Sequence, residues 1–156
     1  APPLSQNHTM IASIRQAIES GMPTIAECGG FLYLHRTLQD ETGRPYPMVG
    51  VIDADAVKTE KLSRFGYVTL TARQDNLLCS AEESLPAHEF HYWESTDCGD
   101  AFTAQKPLRR KNWSCVHVKK NLWSGFPHLY LPAVPNAAYR FLKAAADYRK
   151  ELTICI

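Results

Sequence analysis

Apolar and polar positions follow three different rhythms along these 156 residues. From Ser5 to Ser20 the apolar residues Met10, Ile11, Ile14, Ala17 and Ile18 recur at helical spacing, and Gly21 follows where a left-handed cap closes a helix. Met22 to Ala26 is a short, continuous, largely apolar run, the pattern of a buried parallel strand. Helical spacing resumes from Phe31 to Leu38, with Leu34 and Leu38 four apart. After Gly43-Arg44-Pro45 the rhythm shortens. Met48 to Ile52, Gly66 to Thr71, Pro86 to Trp93, Cys115 to Val118 and Trp123 to Leu131 read as strands between polar, Gly, Pro, Asp or Asn breaks. Pro135 to Tyr148 places Ala138, Phe141, Leu142, Ala145 and Ala146 on one face, a closing helix with proline near its start that covers one face of the sheet. The order predicts an α/β sandwich, parallel at first and antiparallel or mixed afterwards, in one domain spanning 1–156.

Strand, sharp turn and helix meet at Ile25-Ala26-Glu27-Cys28-Gly29-Gly30-Phe31. This layout lifts a nucleophile out of a sheet and sets it at the positive end of a helix dipole, where a thiol ionises more easily. Ala26 and Gly30, two positions either side of Cys28, leave room for a strained elbow, and the Gly29 amide can face a developing oxyanion. A core cysteine before a glycine turn is the competing reading. A cysteine nucleophile needs a base, and His128 is the best placed of six histidines: Gly125 to Pro132 is an apolar strand end just before the last helix, and carboxyl ends of strands are where α/β proteins build their sites. A half-buried strand histidine is the alternative there. His88 and His91, three apart in a strand, point to opposite faces and do not chelate one ion; they line the nucleophile or pack the strand. His8, His35 and His117 have no partner legible in the sequence.

Composition narrows the classes. Seventeen basic and 16 acidic residues nearly cancel, leaving no field that would favour nucleic acid or an anionic membrane. The apolar runs fall short of the ~20 residues needed to span a bilayer, so a soluble, cytoplasmic chain is expected. The cysteines at 28, 79, 98, 115 and 155 form no C-x-x-C pair, which points to reduced thiols rather than a disulfide framework or a zinc site. Arg109-Arg110-Lys111 reads as a solvated turn. No G-x-x-x-x-G-K-[ST] loop and no G-x-G-x-x-G after a strand is present, so nucleotide binding by this chain alone is not expected. The start, Ala1-Pro2-Pro3-Leu4, reads as that of an excised fragment.

Ala26-Glu27-Cys28-Gly29-Gly30-Phe31-Leu32-Tyr33-Leu34 resembles the nucleophile motif of the class I glutamine amidotransferases of the cobyrinate and cobyric acid synthase type. Tyr46 to Val51, Phe65 to Val68, His88 to Tyr92 and Gly125 to Leu131 carry the resemblance further, favouring the glutaminase domains of the a,c-diamide enzymes. It implies a three-layer sandwich in which helices flank a mixed, partly parallel central sheet, here without the family's N-terminal strands. It also implies Cys28 as nucleophile and His128 as its base, with Gly29, Gly30, His88 and His91 at the oxyanion or substrate. Where ordinary class I enzymes carry a glutamate two positions after the histidine, this chain has Tyr130, so a dyad is implied and the group orienting the imidazole is left open. No cofactor or metal is expected in this domain. ATP and Mg2+ belong to an N-terminal synthetase domain of the full-length chain that amidates the a and c carboxylates of cobyrinate. The family's glycine-rich oxyanion loop is also missing, and weak or no glutaminase activity in isolation is expected. An edge left by missing strands would suit pairing into a homodimer. A cobyric acid synthase, an enzyme amidating a cell-wall lipid precursor and a non-catalytic docking module are the alternatives.

Overall fold

The computed structural model describes residues 1–108 and 111–154. The chain opens with α1 (Pro2–Gln6) and α2 (His8–Glu19). The helix expected from Ser5 is broken at Asn7, which ends the first and caps the second, its side-chain oxygen accepting from the Met10 amide at 3.1 Å. Gly21, at φ 95°, turns the chain into β1 (Thr24–Glu27). The short α3 (Gly29–Tyr33) follows, then β2 (His35–Gln39), β3 (Pro45–Pro47), β4 (Ile52–Lys58), β5 (Arg64–Ala72), β6 (Ser84–His91), β7 (Trp93–Ser95), β8 (Phe102–Gln105) and β9 (Asn112–Cys115). β10 (His117–Lys119), β11 (Leu122–Gly125), β12 (His128–Leu129), a 3-10 turn (Leu131–Ala133) and α4 (Pro135–Ile154) complete it.

The mixed α/β class is as the pattern predicts, with the strands divided among three sheets in the orders β1-β11-β10, β12-β6-β5-β8-β9 and β3-β2-β4-β7. Among the described residues only β1 with β11 and β2 with β4 pair in parallel. Several expectations change in detail. The helix read over Phe31 to Leu38 stops at Tyr33, because residues four apart also share a face of a strand and His35–Gln39 pairs with both β3 and β4. Met48 to Val51 is a connection rather than a strand, tied to the main chain by Met48 N to Arg36 O and Val49 N to Tyr33 O. Cys115 to Val118 is broken at Val116, whose φ of 71° passes the chain from the five-stranded sheet to the three-stranded one. The buried face of α4 is Ala137, Phe141 and Ala144, whereas Leu142 is exposed. Of the basic triplet, Arg109 and Arg110 lie outside the described residues, as does Cys155; the other four cysteines are free.

Two apolar clusters hold these layers together. One joins Val68, Leu70, Phe102 and Trp123 to α4, and the other joins Phe31, Leu34, Val49, Ile52 and Phe126 to Ile14 and Ile18 of α2. The second includes Ala26, Phe31 and Leu32, which flank Cys28 along the chain. Among the described residues no helix is long and apolar enough to cross a membrane.

Candidate active site

The parallel register of β1 and β11 runs from Thr24↔Leu122 to Glu27↔Gly125, so the carboxyl ends of both strands lie side by side. Cys28 follows one end, and Phe126-Pro127-His128 follows the other. The Cys28 amide donates to Gly125 O at 2.8 Å, locking the elbow to the neighbouring strand. The elbow itself is strained: Cys28 has φ 47° and ψ −104°, a region that residues with a Cβ seldom occupy. Its carbonyl accepts from Leu32 N at 2.9 Å, starting α3. A Cβ built on Gly29 would meet nothing within 4 Å, and one on Gly30 would sit in ordinary contact, 3.6 Å from Ala26 Cβ. Gly29 thus edges open space and Gly30 faces the strand.

The half-buried Cys28 sulfur lies 4.0 Å from Phe90 O. Burial pushes its pKa up, the Gly29 amide opposes that rise, and the Glu27 and Glu89 carboxylates add to it. The easily ionised thiol expected at an elbow is therefore not found: one short helix and one amide do not offset desolvation beside two acids. Proton removal here calls for a base.

The strand read over Trp123 to Leu131 is interrupted: Gly125 ends β11, and after Phe126 and Pro127 the chain joins the five-stranded sheet as β12, where His128 pairs with His88. The His128 ring is about half exposed, with Nδ1 3.8 Å from Glu27 Oε2. The other Glu27 oxygen accepts from the Leu129 amide at 2.9 Å. The sequence reading did not include Glu27. Its place comes from the register, since pairing 24–27 in parallel with 122–125 sets residue 27 beside residues 126–129, which no local pattern announces. Tyr130, at the position of the usual family glutamate, is exposed, and its amide donates to Pro86 O.

His88 and His91 face opposite sides of β6. His88 meets Phe65 and Tyr67 edge-on, with ring centres 5.6 and 5.3 Å away, and lines a cavity of about 600 Å³ with His128, Tyr67 and Tyr130. His91 is buried, stacked on Phe126 at 3.8 Å and 6°, and held by Trp93 O at 2.7 Å. It supports the segment leading to His128 from below, and burial lowers its pKa. A cavity of about 620 Å³ bounded by Arg64, Phe65 and Trp113 holds neither Cys28 nor His128, so the site is assigned from the elbow rather than from cavity size. His35 and His117, unpartnered in the sequence reading, meet Phe31 O and Ser95 Oγ, and Asp97 O, respectively. Among the described residues no group of three His, Cys, Asp or Glu could hold a metal ion.

Comparison with known proteins gives a family model, the CobB/CobQ-like glutamine amidotransferase domain, matching residues 2–133. The chain is 37% identical over 150 residues to a cobyrinate a,c-diamide synthase of Caldanaerobacter subterraneus, covering 95% of this chain and 33% of that protein. Proteins of the same name from Fusobacterium nucleatum and Salmonella typhimurium are 32% and 30% identical, with 31% and 32% of their lengths covered. The chain thus spans about a third of the length of the curated relatives it matches. A crystal structure of a candidate GMP synthase component from Thermoplasma acidophilum shares the fold, with a TM-score of 0.52, 15% identity, and coverage of 96% of this chain and 71% of that one.

Proposed function

Since the chain belongs to the CobB/CobQ-like glutamine amidotransferase family, we propose that it hydrolyses glutamine and supplies the ammonia to a synthetase that amidates the a and c carboxylates of cobyrinate. The relatives named for that reaction support this acceptor over that of a cobyric acid synthase. The observation that carries the reading is that a strained cysteine and a histidine follow the adjoining carboxyl ends of the parallel strands β1 and β11, linked through Gly125 and Glu27.

In this mechanism His128 takes the Cys28 proton as the sulfur attacks the side-chain carbonyl of glutamine. The Gly29 amide holds the resulting oxyanion. The tetrahedral adduct collapses, His128 returns the proton to the leaving nitrogen, and ammonia departs from a γ-glutamyl thioester. Water then attacks with the same histidine as base, releasing glutamate and restoring the thiol. ATP and Mg2+ act in the synthetase part, and no residue of this chain is assigned to them.

The raised thiol favours a second reading, a docking module without catalysis. Against it stands the strain at Cys28, which a packing cysteine has no use for. Cys28→Ala in the complete enzyme decides between them. Glutamine-dependent amidation should vanish while amidation from free ammonia persists, and a glutamine-analogue diazo-ketone should add once, at Cys28. Unchanged glutamine use by the variant, or labelling spread over Cys79, Cys98 and Cys115, would sink the catalytic reading.

A further inference from the structure

We propose, on the premise that Cys28 and His128 hydrolyse glutamine, that Glu27 is the positioning residue for His128. The residue before the nucleophile, rather than one on the histidine's own strand, then completes the group. The geometry is specific. Glu27 is fixed in the β1–β11 register opposite Gly125. Its Oε1 is anchored by the Leu129 amide at 2.9 Å, which aims Oε2 at His128 Nδ1, 3.8 Å away. The anchor is main chain, so the carboxylate keeps its orientation whether or not the imidazole is charged.

The separation of 3.8 Å is an ion-pair distance, longer than a direct hydrogen bond. With its ring about half exposed, His128 has room for the small rotation that closes the gap, and such contacts tighten when substrate binds. A carboxylate on Nδ1 selects the tautomer with the proton on that nitrogen and leaves the Nε2 lone pair for the thiol. It also stabilises the imidazolium formed when Cys28 is deprotonated, the role an acid plays behind a catalytic histidine in hydrolases of unrelated fold. Tyr130 offers no charge for that role. Glu27 also opposes ionisation of Cys28 in the resting state. Its contribution is therefore made at the base rather than at the nucleophile.

The test compares Glu27→Gln and Glu27→Asp in the complete enzyme. Glutamine keeps the side-chain size and an oxygen for the Leu129 amide, and removes only the charge. The expected result is a glutaminase kcat lower by about 10- to 100-fold with KM for glutamine within about twofold, the split for an interaction made in the transition state. Glu27→Asp should regain part of that loss. Adding Glu27→Gln to a His128→Ala enzyme should cost little more, because the two act as one unit. Ammonia-supplied amidation and the melting temperature serve as folding controls. A Glu27→Gln kcat within twofold of the parent, or equal further losses with and without His128, overturns the role of Glu27 while leaving the glutaminase reading intact. A parent enzyme that fails to hydrolyse glutamine sinks that reading itself, and the role of Glu27 with it.

Discussion

The backbone at Cys28 stores strain that a substitution can measure. With φ 47° and ψ −104° it lies where glycine moves freely and a residue bearing a Cβ is penalised by about 1 to 3 kcal/mol. Cys28→Gly and Cys28→Ala both remove the sulfur and differ by one methyl group. Against relief of strain stand the greater unfolded freedom of glycine, about 0.5 to 1 kcal/mol, and the burial of a methyl at a half-buried position, at most ~0.8 kcal/mol. The balance is about 1 kcal/mol in favour of glycine, or roughly 2 to 4 °C in melting temperature for a domain of this size. Two residues on, the sign reverses. Gly30 lies inside α3 with no positive φ, and its Cβ would make only ordinary contact with Ala26, so Gly30→Ala should stabilise by about 0.5 to 1 kcal/mol. Urea and thermal denaturation of residues 1–156 reads both differences. An alanine variant at position 28 as stable as the glycine variant would refute the claim that the elbow is strained.

Two further outcomes follow from the packing. Phe31 is fully buried, edge-on to His35 at 4.5 Å and to Phe126 at 5.0 Å, so Phe31→Ala should cost about 3 to 5 kcal/mol and lower the melting temperature by roughly 10 °C; a loss below ~1.5 kcal/mol would contradict the assigned core. Glu89 is fully buried, neither carboxylate oxygen has a hydrogen-bond partner among the described residues, and burial raises its pKa against the pull of Arg64. The folded chain thus binds this proton more tightly than the unfolded one, and stability falls as pH rises above the unfolded value of about 4.3. Glu89→Gln removes that slope. The stability of the variant minus that of the parent should grow between pH 4 and 8 in denaturation curves, and a difference that shrinks over that range would reverse the assignment.

Local signals were read well where one rhythm had one physical meaning. Gly21 terminates α2 in the left-handed region, and the alternation in Phe65 to Val68 and His88 to Tyr92 sends Phe65, Tyr67 and Phe90 outward and Val68, Glu89 and His91 inward. Reading failed where a spacing was ambiguous or a contact was distant. Leu34 and Leu38, four apart, satisfy a helix and a strand alike, and partners in β3 and β4 decide for the strand. The break at Val116 had no warning in its own neighbourhood, because a valine at φ 71° is held there by tertiary packing. Gly99 comes so close that a Cβ on it would collide with the Val116 carbonyl.

The candidate site divides along the same line. Cys28 was legible because strand, cysteine and paired glycines are contiguous, and His128 because it stands at a strand end before a helix. Glu27 was hidden in plain view beside Cys28, since nothing local distinguishes a solvated glutamate from one aimed at a residue 101 positions away. The register from Thr24↔Leu122 to Glu27↔Gly125 makes the difference. The thiol pKa departs from the expectation for a related reason. The elbow's helix end and the Gly29 amide are local and favour the thiolate, whereas burial and the Glu89 carboxylate arrive through the fold and outweigh them. A thiol whose pKa is raised by burial and by neighbouring carboxylates needs a base to take its proton, and in the proposed mechanism His128 is that base.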